Sequence, residues 1–287
     1  MIIAGLGTIL FILLIMVIIR GRFYRTGCGA LILHEILLET SVVAIHIPLN
    51  ILNIHSGHRG FFTPRDCAGI HFPFITTLMI TNWAQFSLAL NRFVATLYPH
   101  MYWRWVTKTA IAAQIAAVWV FGLVLTAPPL FGVVGTYGLD KTWNNCAILL
   151  HTVGPYPKIV GTLGVYLPTG LLMVLYLIMF IRLQCCSPQR VQNNQMRSDR
   201  QGQFDRRVKM AKLLCGISLW YNACYHPQNI LSILRVPMYE QSVAGLQLWL
   251  RTVYLCGYVM TPMFFFSLNK DYQTGLLEII RLRVHGR

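Results

Sequence analysis

CAGIHFPFITTLMITNWAQFSLALNRFVATLYP, residues 67–99, opens on a cysteine and closes on Asn91-Arg92-Phe93 and Tyr98-Pro99. Twenty-five residues separate Cys67 from Arg92, roughly 37 Å of helix at about 1.5 Å per residue, against about 30 Å of hydrocarbon in a bilayer. Residues 68–97 of it read as one membrane span, pinned outside at the cysteine and reaching the inside at the arginine. The whole chain agrees: of 287 residues, 55% are apolar and only 11% charged, with a mean hydropathy of +0.55, whereas a soluble domain carries about 25% charge. Six further stretches are long and apolar enough to cross, at 1–19, 28–54, 110–133, 158–182, 210–235 and 244–268. A last piece, 269–284, is too polar on one face to span and is expected to lie on the membrane surface. The expected fold is an all-α membrane protein, one seven-transmembrane helix bundle over residues 1–287 with a short amphipathic eighth helix.

The net charge of +15 is placed by these spans. One side holds 17 of the 24 Lys and Arg, including Arg20, Arg22, Arg25, Arg104, Lys108, the group from Arg182 to Lys212 and the carboxyl-terminal arginines; the other holds six, and Arg92 sits inside the end of a span. By the positive-inside rule the richer side is cytoplasmic and the amino terminus is outside. The excess therefore needs no nucleic acid, and the inner basic rim favours anionic lipid headgroups. Residues 1–19 lack a basic start and a small-residue cleavage pattern, so the first span reads as an uncleaved anchor. The polar run from Ser187 to Asp205 reads as a cytoplasmic loop.

Of eight cysteines, Cys67 and Cys146 alone fall outside the membrane on the oxidising side, where a disulfide is expected in preference to two free thiols. Cys185 and Cys186, at the inner end of span five, are open either to acylation or to plain packing. Glu39, near the middle of span two and nine residues before Pro48, is costly at that depth unless paired, wet or protonated. It is a candidate for ion or proton coupling, with a neutral hydrogen-bonded structural acid as the alternative; Glu35, one turn away, disfavours both being ionised. The histidines His34, His46, His55, His58 and His71 are scattered, and solvated or packed roles outweigh a zinc site. Arg92 is either a snorkelling residue or part of a motif with Asn91 and Phe93.

Taken in order, these residues resemble the rhodopsin-like (class A) G-protein-coupled receptors. Glu39 with Pro48 resembles the family's span-two acid and proline, Cys67 and Cys146 its outer disulfide, and Asn91-Arg92-Phe93 its Asp-Arg-Tyr motif. Trp119 and Pro129 resemble span four, Pro168 and Tyr176 span five. Cys224-Tyr225-His226-Pro227 resembles Cys-Trp-x-Pro, with Tyr221 in the place of an upstream Phe. Thr261-Pro262-Met263-Phe264-Phe265 resembles Asn-Pro-x-x-Tyr, with Asn269-Lys270-Asp271-Tyr272 opening the eighth helix. Within the family, Pro128-Pro129-Leu130-Phe131-Gly132, Gly138-Leu139-Asp140 and Cys146-Ala147-Ile148-Leu149 look like invertebrate orphan receptors of the trapped-in-endoderm and moody type.

The resemblance implies a plasma-membrane receptor that couples an extracellular ligand to a heterotrimeric G protein, with no enzymatic activity and no cofactor. It implies switch roles for Asn91, Arg92, Phe93, Tyr176, Tyr221, Tyr225, Pro227, Thr261, Pro262 and Phe265. Asn91 cannot give Arg92 a carboxylate, and Arg207 stands where many members carry an acid, so a weak inner restraint is expected. Glu39 with Thr81 resembles part of a sodium pocket; Thr261 and Gly257 supply fewer oxygen ligands than usual, and a protonated Glu39 hydrogen-bonded to Thr81 is the alternative. Only Thr8 stands where span one normally has Asn, so its outer half reads as truncated.

For the ligand cavity the resemblance implies His71, Phe74, Ile75 and Leu78 of span three, Gln228 and Asn229 of span six, and Arg251 of span seven. Phe74 stands where amine receptors carry Asp, and span five offers Val160 and Gly164 where they carry serines, which argues against a biogenic amine. Span seven has no lysine for a retinal Schiff base. Arg251 either pairs an acidic lipid or snorkels to the headgroups. A secondary transporter is the main rival, but the inverted repeats it requires are not found; a receptor-like chain that no longer signals is another.

Overall fold

Thr26 and Thr107 each start a helix by accepting the backbone N–H three residues on, Gly29 at 3.1 Å and Ala110 at 3.2 Å. Each satisfies a donor that a first helical turn leaves free. The computed structural model describes residues 2–49, 52, 63, 66–140, 145–150, 154–185, 196–234 and 244–285; within these, the side chains of 27, 140, 145, 183–185, 196–207, 228, 229, 231–234, 244–248, 251 and 282–285 are not described. The helices corresponding to the seven spans are Ile2–Arg20, Gly27–Ser41 with its continuation, Asp66–Leu97, Lys108–Thr126, Tyr156–Gly161 continuing to Leu167–Cys185, Met196–Leu234 and Ala244–Leu268; the surface helix is Lys270–His285.

Four described helices, Ile2–Arg20, Cys28–Leu49, Lys108–Thr126 and Tyr156–Arg182, are each long and apolar enough to cross a membrane, and Thr252–Leu268 is a shorter apolar helix. Span three is more polar because Asn82, Gln85, Asn91 and Arg92 all lie buried in the bundle, which lowers its hydropathy while keeping those groups off the lipid. Large apolar side chains such as Val120, Val124, Leu177 and Phe180 are exposed, the surface that lipid covers. Span three also packs closely on span four. Thr76 and Thr126 share a hydrogen bond at 2.7 Å, and a Cβ added at Gly122 would lie 2.5 Å from Ile80.

Three local features differ from the sequence reading. The helix of span four ends at Thr126 rather than 133, because Pro128 and Pro129 supply no amide hydrogen for a regular turn; they form a short 3-10 turn that closes at Gly132, φ 69°. A hairpin follows, β1 Gly135–Asp140 antiparallel to β2 Asn145–Leu150, with Leu139 opposite Cys146. Cys146 is bonded to Cys67, which ties the hairpin to the outer end of span three. The polar run read as loop is helical from Met196 onward, since Gln, Arg and Lys are good helix formers that extend span six beyond the lipid. His55, His58 and Cys186 lie outside the described residues.

Spans two and five each contain a wide turn just before a proline. In span five the turn covers Thr162–Tyr166, and the Leu167 N–H returns to the Thr162 carbonyl, five residues back. That leaves the Leu163 carbonyl, and Pro168 has no N–H to offer Gly164. Span three fills both places with adjacent residues: Trp83 Nε1 donates to the Leu163 carbonyl at 3.0 Å and Asn82 Nδ2 to the Gly164 carbonyl at 3.1 Å. In span two the turn Val42–His46 precedes Pro48, with the Ile47 N–H on the Val42 carbonyl.

The Gly122 contact is testable. Gly122→Leu forces spans three and four apart and should lower stability by about 1–3 kcal/mol, read as a lower thermal unfolding midpoint in detergent; an unchanged midpoint would show that the contact is not tight.

Candidate functional site

Strand alternation places Ile148 and Leu150 on the same face of β2 as Cys146, and the disulfide holds that strand over the outer half of span three. Beneath it lies a cavity of about 320 Å³. Its walls are Ile75, Leu78 and Met79 of span three, Ile148 and Leu150 of β2, Tyr156 to Tyr166 of span five in part, and Tyr225 of span six. None of these described lining residues is charged. Ile75 and Leu78, two of the residues expected around a ligand, line this cavity. His71 and Phe74 instead belong to a separate aromatic group: Phe74 lies 5.6 Å from His46 and 6.0 Å from His71, and His71 lies 5.9 Å from Tyr137. Tyr137 donates to the Thr126 carbonyl at 2.8 Å, and burial raises its phenol above the ordinary range. The side chains of Gln228, Asn229 and Arg251 lie outside the described residues.

Met79, Tyr156, Tyr166 and the two strand residues escaped the sequence reading. The readable signal was Cys146 itself, because a strand pinned there must drape its second and fourth following residues over span three.

Below the cavity, tyrosines gather between spans six and seven. Tyr225 stacks on Tyr221 with centroids 5.2 Å apart. Tyr221 Oη shares a 2.9 Å hydrogen bond with Tyr258 Oη, and Tyr258 a 3.3 Å one with Tyr254 Oη. Tyr221 Oη also donates to Asn82 Oδ1 at 3.5 Å. Tyr221 and Tyr225 are thus brought together by their spacing on one helix, whereas Asn82, Tyr254 and Tyr258 carry no sequence signal of their own.

Glu39 is wholly buried, and neither carboxyl oxygen has a hydrogen-bond partner among the described residues. The expected bond to Thr81 is not formed. The Thr81 hydroxyl donates to the Thr77 carbonyl at 2.8 Å, the ordinary back-bond of a helical threonine, and Thr261 is the hydroxyl that lies beside Glu39. One turn inward, Glu35 is buried beside Gln85. Among the described residues no group of three or more His, Cys, Asp or Glu is placed to hold a metal ion.

At the inner end Arg92 is buried, with its Nε unpartnered among the described residues. Asn91 Oδ1 accepts from Tyr102 at 3.3 Å and so turns to the short helix after span three. Arg92 lines an inner cavity of about 610 Å³ with Arg20, Met210, Asp271 and Glu278 among others. Tyr176 packs nearby with Ala89, Leu172 and Ala211, and Phe93 rests against that group. Phe265, in place of a tyrosine, lies 5.1 Å from Tyr272 of the surface helix, which in turn lies 5.1 Å from Phe23. The side chain of Arg207 is not described.

A cavity beneath the hairpin and a second cavity at the Arg92 end of the same helical bundle are the architecture of a multi-span membrane receptor. Residues 12–264 match the model of the 7 transmembrane receptor (rhodopsin family), and the chain belongs to that family, one of receptors rather than enzymes. It is 22% identical over 204 residues to somatostatin receptor type 5 of Bos taurus (68% of this chain, 52% of the relative). It is 25% identical over 108 residues to protein trapped in endoderm-1 of Drosophila melanogaster (38% and 28%). It is 26% identical over 238 residues to the ultraviolet-sensitive opsin of Melopsittacus undulatus (78% and 65%). The matched part therefore covers between 28% and 65% of these relatives' own lengths.

Tyr272 offers a local test. Tyr272→Ala removes both ring contacts, at a cost of about 3 kcal/mol for a buried aromatic. Hydrogen exchange should quicken across Lys270–His285 while the spans keep their protection; unchanged exchange in that helix would mean the rings do not hold it.

Proposed function

We propose that this chain is a plasma-membrane receptor, amino terminus outside, that couples an apolar small molecule in the outer cavity to a heterotrimeric G protein at the inner cleft. The observation that carries the reading is Tyr225. It lines the cavity and stacks on Tyr221, so an occupant touches the same aromatic column that runs down span six towards the inner end. Receptor action is a coupling free energy between two such sites, carried by helices with two arrangements. Pro168 and Pro227 give spans five and six a place to bend. Inward movement around Tyr221 and Tyr225 swings the inner end of span six outward, and Arg92 and Tyr176 then face a G-protein helix. The uncharged lining favours an apolar ligand; an acidic lipid, with Arg251 as its pairing cation, is the charged form proposed for that ligand. With Asn91 engaged by Tyr102, Arg92 is held at rest without a carboxylate from its neighbour, which supports a weakly restrained inactive state.

A screen of apolar small molecules and lipids, read by G-protein dissociation, tests the coupling. An active compound should lose at least about tenfold in potency on Leu78→Trp, which fills the cavity. Arg251→Ala should weaken only ligands with a carboxylate or phosphate, at unchanged surface expression. A chain expressed at the surface but silent to every compound, with no basal recruitment, would point to a receptor that no longer signals.

Orientation is tested separately with epitope tags. A tag before Met1 should bind impermeant antibody on intact cells and a tag after Arg287 should not; both accessible or both hidden would overturn the topology.

A further inference from the structure

From Thr109 to Leu139 the chain carries no charged residue. Span four takes up the first part. Lys108 stands exposed at its inner end, and the 19 residues of Lys108–Thr126 rise roughly 28 Å at about 1.5 Å per residue, against about 30 Å of hydrocarbon. The apolar surface does not stop at the end of the helix. The short turn Pro128–Phe131 lies at that boundary and closes at Gly132, and here Leu130 is 43%, Phe131 79% and Val133 73% exposed. They continue the lipid face of span four, where Val120, Leu123 and Val124 are exposed. An aromatic ring and two aliphatic side chains held out together at this level meet either water or the edge of the leaflet, and the transfer of apolar surface out of water favours the leaflet.

The backbone of the turn suits that place. Pro128 and Pro129 have no amide hydrogen to desolvate. Those of Leu130, Gly132 and Val133 are spent within the turn, on the carbonyls of Ala127 at 2.8 Å, Pro129 at 3.4 Å and Pro128 at 3.2 Å, which removes much of the cost of bringing them to an apolar medium. One side of the turn is already covered. The Tyr137 hydroxyl of β1 donates to the Thr126 carbonyl and the Tyr156 hydroxyl of span five to the Leu125 carbonyl, each at 2.8 Å. The Leu125 carbonyl is the one that a continued helix would point at Pro129, where no hydrogen waits. The hairpin and span five thus hold one side, and Leu130, Phe131 and Val133 stay uncovered. We propose that Pro128–Val133 is a wedge seated in the outer leaflet, where headgroups meet acyl chains, and that this seat anchors the hairpin roofing the cavity.

The proposal takes only the name of the leaflet from the receptor reading, and the seat itself is measured without a ligand or a G protein. In the full chain, with the cysteines other than Cys67 and Cys146 changed to serine, a nitroxide is placed singly at Val124, Phe131 or Thr136 in phosphatidylcholine nanodiscs. Its relaxation by oxygen, which dissolves in lipid, is compared with that by a water-soluble nickel chelate. Val124 should read deepest and Phe131 next, at the boundary, with Thr136, exposed on the hairpin, in water. A second measurement keeps the native cysteines: phospholipids brominated on their upper acyl carbons should quench Phe131→Trp beyond the loss seen in the wild-type chain. Phe131→Ser with Val133→Ser should quicken amide exchange in β1 roughly tenfold, the loss expected on taking one phenylalanine ring out of an apolar medium, whereas Phe131→Trp should leave it unchanged. A label at Phe131 as open to nickel as one at Thr136, no added quenching of Phe131→Trp, or unchanged exchange in the serine variant would each overturn the wedge. So would labels at Phe131 that broaden one another's spectra, the sign of a second copy on this face. The epitope tags separate the two claims: depths that rank as expected in a chain whose tags show the reverse orientation support the seat and count against the receptor reading, whereas a Phe131 label in water with the tags as expected does the opposite.

Discussion

A carbonyl that loses its helical partner inside a membrane has no water to turn to, and this chain makes two such carbonyls side by side in span five. The wide turn at Thr162–Tyr166 and the missing amide hydrogen of Pro168 create them; Trp83 and Asn82 receive them. Much of the bundle's arrangement follows. Spans three and five must stay in register within a residue, the cavity wall acquires its bulge, and the amide of Asn82 is oriented for the tyrosines beyond it. Proline is usually described as a source of bending. Here the proline's missing amide hydrogen comes with an obligation that a neighbouring helix has to meet.

The same economy explains where this receptor departs from the family pattern. The family's Asp, Trp, Asn and Tyr switch residues are replaced: by Asn91 beside the arginine, by Tyr225 in span six, and by Thr261 and Phe265 in span seven. Polarity has not been lost from the interior so much as moved. It reappears as hydroxyls at Tyr221, Tyr254 and Tyr258, as amides at Asn82 and Gln85, and as a second acid at Glu35. Neutral hydroxyls and amides are less costly to bury than charges, provided that each finds a partner.

Much of this was legible in the residues. Hydropathy marked the spans, since Ile2–Arg20 or Lys108–Thr126 needs no tertiary context to be recognised as lipid-soluble, and the compartment of Cys67 and Cys146 foretold their disulfide. The amphipathic piece after Asn269 was legible for the same reason. What stayed hidden depends on pairing across distance. Nothing near Asn82 announces a carbonyl 82 residues away, and nothing near Tyr258 announces Tyr221, because helix periodicity reveals which face is apolar but not which neighbour that face will meet. The alternative bond between Glu39 and Thr81 is absent for a local reason: a threonine hydroxyl in a helix has a carbonyl of its own within reach and takes it before a distant carboxyl. The hairpin was missed because short strands tied by a disulfide lack the length that makes periodicity readable.

Gly164 carries one last implication. Its absent side chain is what admits the Met79 thioether, and a Cβ at that site would run into the sulfur. A side chain at position 164 therefore requires the Met79 thioether to swing aside, so what span five can carry at that point is decided by how far a residue of span three can move.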